Sequence, residues 1–270
     1  MNDNPFALTP RKLDLGRILA PLHEKSLNRI LTAVKGGGIA ICAGGTGIGK
    51  TSLLERVARE VLKFKITPIL IPCGGLVREE SDITRAILTS LYLNAEGSGI
   101  QLYYKLRETT ADGRVVVLLD DVTSTPIHPR NLGETIRMIA DLPNFSVVLA
   151  GDSKGISKLL RQCPSLKSRT MTFERLGPIG EKEAYEILKK RADLVGLEIS
   201  APTAKNLHET GRGIPREILK LAARAYELSL SQKIPFDRAV RMITRKFTSR
   251  KKVRPSKKSK KKKLKRRRKT

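Results

Sequence analysis

The sequence predicts an α/β fold: a three-layer core on a parallel sheet, followed by a small C-terminal all-helical domain. Three observations lead there. Apolar strand-like runs alternate with helix-patterned stretches from residue 22 to residue 173, the order that builds a parallel sheet covered on both faces. Residues 44 to 51 read Gly-Gly-Thr-Gly-Ile-Gly-Lys-Thr, so that Gly44, Gly49, Lys50 and Thr51 fall on the G-x-x-x-x-G-K-[ST] spacing between a strand and a helix. After Phe173 no strand-like run appears, and amphipathic helical stretches take over.

The elements follow in order. Residues 1–20 are expected to form an N-terminal linker, broken by Pro5 and Pro10. Leu27, Ile30, Leu31 and Val34 recur at three and four residues and predict a helix over Leu22 to Val34. Residues 38–43, Gly-Ile-Ala-Ile-Cys-Ala, are the first strand, and Ser52 to Lys63 is the helix after the glycine-rich loop. Thr67 to Cys73 is the second strand, and its prolines place it at a sheet edge. Helices are expected over Ser81 to Leu93, capped by Ser81 or Asp82, and over Gln101 to Glu108. Val115 to Leu119 is a continuous apolar run, as in a strand buried on both faces, and it ends in Asp120 and Asp121. A helix over Asn131 to Ile139 and strands over Ser146 to Ala150 and Thr170 to Phe173 complete a core spanning 21–176. Helical stretches over Glu181–Val195, Thr203–Thr210, Arg216–Leu230 and Phe236–Phe247 make up a second domain, 177–249, with its boundary near Gly177-Pro178. No repeat at solenoid periods is visible.

The loop motif carries chemistry. Gly44, Gly45, Gly47 and Gly49 let the backbone curl and turn its N–H groups inward. Those groups and the positive end of the following helix form an anion cradle. Lys50 adds a point charge for the β- and γ-phosphates, and the Thr51 hydroxyl suits Mg²⁺. The predicted nucleotide site comprises Gly44, Gly45, Thr46, Gly47, Ile48, Gly49, Lys50, Thr51 and Ser52. About 70 residues on, Asp120 is the expected Mg²⁺ partner, directly or through water, and Asp121 the candidate base for the attacking water. The sequence lacks an Asn-Lys-x-Asp guanine motif and a Leu-Ser-Gly-Gly signature, which disfavours the GTPase and ABC classes.

Composition bounds the rest. A chain of 270 residues can bury a sizeable core. No apolar stretch reaches the ~18 residues that cross a bilayer, and the N-terminus lacks a secretory pattern. The three cysteines, Cys42, Cys73 and Cys163, form no C-x-x-C pair, and His23, His128 and His208 show no ligand spacing. A cytoplasmic setting and surface or cap roles for the histidines are expected. The formal charge is +27, and fifteen Lys or Arg with no acid lie between Arg250 and Thr270. Residues 250–270 are therefore expected to be a disordered polybasic tail that contacts nucleic-acid phosphate backbones without reading sequence, with a solubilising role, an anionic membrane surface or ribosomal RNA as the other readings of the same charge.

The phosphate loop, the Asp120 strand and the helical C-terminal domain together resemble the AAA+ ATPases. The likeness is to their origin-recognition branch and to related transposon- and secretion-type helper ATPases. Asn4-Pro5-Phe6, Leu22-His23-Glu24, Pro72-Cys73 and Gly213-Ile214-Pro215-Arg216 resemble segments found there. The resemblance implies that the helical domain is a lid. Arg216 would be its sensor-2 arginine, reaching the γ-phosphate, and Pro215 suits a first helical turn. It implies a sensor-1 position at Asp152 or Ser153, and an arginine finger acting on a neighbouring subunit at Arg169, or else Arg161. Asp121 stands where the family usually has Glu. The implied activity is ATP hydrolysis with Mg²⁺, slow with the shorter acid, in an ATP-dependent homo-oligomer. It would assemble on DNA in replication initiation, transposition or a related transaction. The alternative is a nucleotide-dependent switch with negligible turnover, on DNA or RNA.

Overall fold

The structure, a computed structural model, describes residues 4–7, 23–109 and 113–252. Contacts divide these into two compact units: residues 23–178, and residues 179–252 together with 4–7. The tail beyond Lys252 and most of the stretch read as an N-terminal linker lie outside the described residues.

The first unit runs α1 (Glu24–Lys35), β1 (Ile39–Gly44), α2 (Lys50–Leu62), β2 (Ile66–Pro72), α3 (Glu80–Ser90), α4 (Gly99–Thr109) and β3 (Arg114–Asp120). It continues through a 3₁₀ turn at Val122–Ser124 to α5 (Pro129–Ala140), β4 (Phe145–Gly151), α6 (Ser153–Gln162), α7 (Pro164–Ser168) and β5 (Thr170–Leu176). Its strands form a five-stranded sheet in the order β2-β3-β4-β1-β5. Every pairing is parallel. Alternation along the strands feeds two cores. Ile39, Ile41, Val117, Leu119, Val147 and Leu149 pack beneath α3 to α7, whereas Ala40, Cys42, Val116, Leu118 and Val148 pack against α1 and α2. The continuous apolar runs of β1, β3 and β4 thus reflect burial on both faces.

Register brings the carboxyl ends of the central strands level. Ala43 pairs with Gly151, Gly44 with Leu176, and Pro72 with Asp120. In open parallel sheets, ligands bind beyond this edge. Strand β2 is an edge strand, as its prolines require. The other edge, β5, reaches Leu176, three residues past its expected end, because Leu176 enters the core while Met171 and Phe173 stay exposed.

The sequence reading has no helix between residues 150 and 170, yet α6 and α7 lie there. Gly155 masked α6. A Cβ on Gly155 would stand 2.5 Å from that of Thr123, so close packing demands a residue that lowers helix propensity.

The second unit packs α8 (Glu181–Asp193), α9 (Ala201–Gly211), α10 (Pro215–Gln232) and α11 (Phe236–Lys252). Helix α11 runs past residue 249, where the helical domain was expected to end. Residues 4–7, expected to be linker, belong to this unit. Phe6 is fully buried, stacked on Phe236 at 5.6 Å and edge-on to Tyr226 at 6.1 Å. Asn4 Nδ2 donates to the Ala223 carbonyl at 3.0 Å. Arg191 Nη1 donates to the carbonyls of Pro5 at 3.2 Å and Ala7 at 2.8 Å. Burial pulls the Arg191 guanidinium down to about 10, and its Nε has no partner among the described residues. An apolar ring and a costly buried cation therefore seat the tetrapeptide.

Truncating a buried Phe costs about 3–5 kcal/mol. Phe6→Ala is therefore expected to lower the melting temperature of the helical unit and leave that of the sheet unit unchanged, which scanning calorimetry resolves.

Candidate nucleotide site

The loop between β1 and α2 is shaped by two glycines with positive φ, Gly47 at 79° and Gly49 at 103°. Gly49 is the N-cap residue of α2 and offers no side chain to the first-turn N–H groups, and no acid lies in that turn. The helix start stays open to an anion. Gly44 answers a different need: a Cβ there would lie 2.9 Å from the Ile48 side chain and 3.1 Å from the Leu176 carbonyl. Ile48 is buried in the core beside α1 and α2, while its carbonyl lies 3.0 Å from His23 Nε2. His23 itself has φ 56°. The loop is thus held by an apolar anchor inside and an imidazole outside. Lys50 Nζ donates to the carbonyls of Gly44 at 3.0 Å and Gly45 at 2.9 Å, so its ammonium lies across the loop.

Thr51 Oγ1 donates to Asp120 Oδ2 at 2.7 Å. These residues come from the start of α2 and the end of β3, 69 positions apart, and the fold brings them together. Two hard oxygen donors beside a phosphate-binding helix start fit Mg²⁺, which takes one or two carboxylates and completes its shell with phosphates and water. Among the described residues no cluster of three or more His, Cys, Asp or Glu exists, so these residues offer no closed metal cage.

Asp121 is exposed, with φ 52°. A Cβ on Gly74 would stand 2.9 Å from Asp121 Oδ2, so this carboxylate lies against the turn after β2. Asp tolerates the left-handed region better than most residues. That is a physical reason for a short acid here.

Asp152 caps α6, accepting from Lys154 N and Gly155 N, both at 2.9 Å, while its own N–H donates to Thr123 Oγ1 at 3.1 Å. The Gly155 N–H lowers its pKa most. Thr123, the Lys154 N–H and the Lys50 charge add to this against partial burial. Ser153 is the first residue of α6. Arg169 donates to Asp141 Oδ1 at 2.6 Å, and Asp141 also receives Arg137 at 2.7 Å. Arg161 is exposed in the last turn of α6. Arg216, in the helical unit, is exposed at the second position of α10 behind the buried Pro215, with Gly213 at φ 66° before it.

Sequence reasoning missed His23 as a prop for the loop, and Thr123. His23 reaches a carbonyl 25 residues away through a left-handed backbone that no local pattern signals. His128 does cap α5, accepting from Arg130 N at 3.4 Å, and His208 Nε2 lies 2.8 Å from the Ile179 carbonyl. The cysteines are all buried and free, and burial pushes Cys42 and Cys73 up to about 12.

The loop, the sheet order and the Thr51–Asp120 pair define a phosphate-loop nucleotide-binding fold of the AAA+ type. Residues 33–160 match the AAA domain family. The chain is similar to the Holliday junction branch migration complex subunit RuvB of Thermotoga petrophila, 27% identical over 218 residues, covering 81% of this chain and 58% of that protein. It thus spans little more than half that relative's length. Among solved structures it is similar to Cdc6p from Pyrobaculum aerophilum, with TM-score 0.67 and 18% identity over 87% of this chain and 68% of that one. It is also similar to the Aeropyrum pernix ORC1 protein solved in complex with DNA, with TM-score 0.63 and 19% identity over 83% and 68%. These likenesses bear out the AAA+ fold and the resemblance to the origin-recognition branch. No described helix is long and apolar enough to cross a membrane.

The folded-state pKa of Asp152 lies below the ordinary value of about 3.9, so its cap is complete above that pH and fades as pH falls through the folded value. Asp152→Ala is expected to cost about 1 kcal/mol near neutrality, with Asp152→Asn costing less. The deficit should vanish in acid, as urea unfolding between pH 7 and pH 2 would reveal.

Proposed function

We propose that this chain binds ATP with Mg²⁺ at the Gly44–Ser52 loop, hydrolyses it, and uses the cycle to control assembly on DNA. The supporting observation is the 2.7 Å contact between Thr51 and Asp120 at an uncapped helix start. Bound Mg²⁺ would neutralise phosphate charge as the γ-phosphoryl departs. The chain's own groups do the remainder. Backbone N–H groups of Gly45 to Thr51 orient the phosphates. Lys50 exchanges two carbonyls for phosphate oxygens, a gain in charge complementarity. Asp121 takes the proton of the attacking water. Arg216 reads the γ-phosphate, and Ser153 or Asp152 orients the water, Ser153 being the freer since Asp152 serves as a cap.

Arg169 of a neighbouring copy is the proposed trigger. Its pair with Asp141 is half-exposed, and such pairs contribute about 0–1 kcal/mol, so exchanging it for a phosphate costs little. Arg161 is the second candidate. The DNA partner is supported by the fifteen basic residues of 250–270 and by the relatives, one named for Holliday junctions and one solved with DNA. A second reading, a switch without turnover, is favoured by the short Asp121 side chain lying against Gly74.

Lys50→Ala is expected to abolish ATP uptake in calorimetry. Asp121→Asn, which keeps the left-handed backbone, should retain uptake and lose steady-state turnover by about 10²-fold or more. Uptake without turnover in the native protein, with and without DNA, would establish the switch; absence of uptake would remove both readings.

Removing 253–270 should weaken binding to all DNA sequences and flatten its salt dependence, because each phosphate contact contributes about 0.9 to the log–log slope. ATP uptake should persist. Unchanged DNA affinity after this truncation would take the tail out of the mechanism.

A further inference from the structure

Thr123 lies at the centre of the turn that follows Asp121. That turn begins at Asp121 in the left-handed region, φ 52°, and runs through Val122–Ser124. The Ser124 N–H closes it by donating to the Asp121 carbonyl at 3.0 Å. A residue other than glycine keeps a positive φ where its surroundings over-determine it. Strand β2 supplies one support, since the Cys73 N–H donates to the Asp120 carbonyl at 2.8 Å. Val122 supplies a second by burial in the core beneath α3 to α7. Thr123 supplies a third, on the side of β4.

The Thr123 side chain fills a slot that two glycines open. A Cβ on Gly151, the last residue of β4, would lie 2.7 Å from Thr123 Cγ2. One on Gly155, in the first turn of α6, would lie 2.5 Å from Thr123 Cβ. Glycine weakens both a strand and a helix, so local stability is given up at two positions to admit one threonine. Between the glycines, the Asp152 N–H donates to Thr123 Oγ1 at 3.1 Å. After the Gly155 N–H, the Thr123 hydroxyl is a further hydrogen bond that favours the charged Asp152 carboxylate. One hydroxyl thus accepts from the backbone of Asp152 and donates to its side chain. Strands β3 and β4 run side by side, paired through Leu119 and Leu149. Asp121 leaves the first of them, Asp152 and Ser153 leave the second, and Thr123 ties the two exits together.

We propose that Thr123 is a positioning residue for ATP hydrolysis: its clasp on Asp152 fixes the turn that carries Asp121, so that the base and the water-orienting residues after β4 keep one separation. This role rests on the hydrolysis reading above and adds to it a residue that touches neither nucleotide nor water. A base acts on water only from the right place, and a misplacement of about 1 Å costs about 10²-fold. A turn released on one side forfeits part of that factor.

The test uses the full-length chain with ATP and Mg²⁺, reading nucleotide affinity by calorimetry and kcat and KM by phosphate release. Thr123→Val keeps the shape and removes both hydrogen bonds. It is expected to lower kcat about tenfold, with KM and the calorimetric affinity within about twofold of native. Thr123→Ala adds no bulk to the slot and should match it, which keeps the comparison open if the valine variant fails to fold. Thr123→Ser restores the hydroxyl and should bring kcat back to within about threefold of native. Thr125→Val is the control. Thr125 Oγ1 donates to the Val122 carbonyl at 3.2 Å at the end of the same turn, and its loss should leave kcat within about twofold. In the Asp121→Asn background, Thr123→Val should change the residual turnover by less than about twofold, because the group it positions is already gone. Without nucleotide, the Asp152 amide should exchange with solvent about tenfold faster in Thr123→Val and Thr123→Ala than in the native chain or Thr123→Ser. Native kcat in Thr123→Val, equal losses at Thr123 and Thr125, or no rescue by serine would overturn the positioning role while leaving hydrolysis in place. So would unchanged exchange at Asp152, or a further loss of the same size on top of Asp121→Asn. Uptake without turnover in the native chain would overturn hydrolysis and the positioning role together.

Discussion

A helix that begins without a capping side chain leaves its first N–H groups unpaired, and at Lys50 that exposure is built in by a glycine at the cap position. The bare start is tolerable only if the preceding loop is held rigid from elsewhere. Ile48 anchors it in the core, His23 meets its carbonyl from outside, and Gly44 lets the loop close onto Leu176. The open sheet does the rest. Its register sets the ends of β1, β3 and β4 level, so that Asp120, Asp121 and Asp152 gather at the edge where the helix starts. Loop, acids and helix form one arrangement: unpaired N–H groups and an ammonium beside carboxylate oxygens, a pairing of anion donors with hard metal ligands.

Much of this is legible in the chain because the signals are local. A glycine-rich loop between strand and helix is contiguous, and the apolar run before Asp120 announces a strand buried on both sides. The prolines of β2 announce an edge. What stayed hidden depends on distant neighbours. Helix α6 carries a glycine for the sake of Thr123, thirty-two positions upstream, and reads locally as irregular. His23 acts through a positive φ that its sequence does not declare. The role of Asp121 is hard to read for a similar reason, since its short side chain suits its backbone as well as any chemistry.

Charge is distributed unevenly over the molecule in a way that separates two tasks. The ion pairs of the sheet unit, such as the Glu134–Arg137–Asp141–Arg169 chain, are balanced and local. The fifteen Lys or Arg between Arg250 and Thr270 come with no acid among them. Balanced networks fix structure, and unbalanced rows attract polyanions at a distance set by the surrounding salt. The glycine-rich loop at 44–51 and the basic run at 250–270 therefore stand far apart in the sequence.

The seating of Phe6 has a consequence for how the molecule is made. Asn4 and its carbonyl partner Ala223 are 219 positions apart. At ~5–20 residues per second, a ribosome leaves the tetrapeptide waiting roughly 10–45 s for its seat. In that interval the whole sheet unit emerges and can fold as a closed body. The tetrapeptide then joins helices that are made only after the sheet unit, so the helical unit is completed by a segment synthesised long before the rest of it.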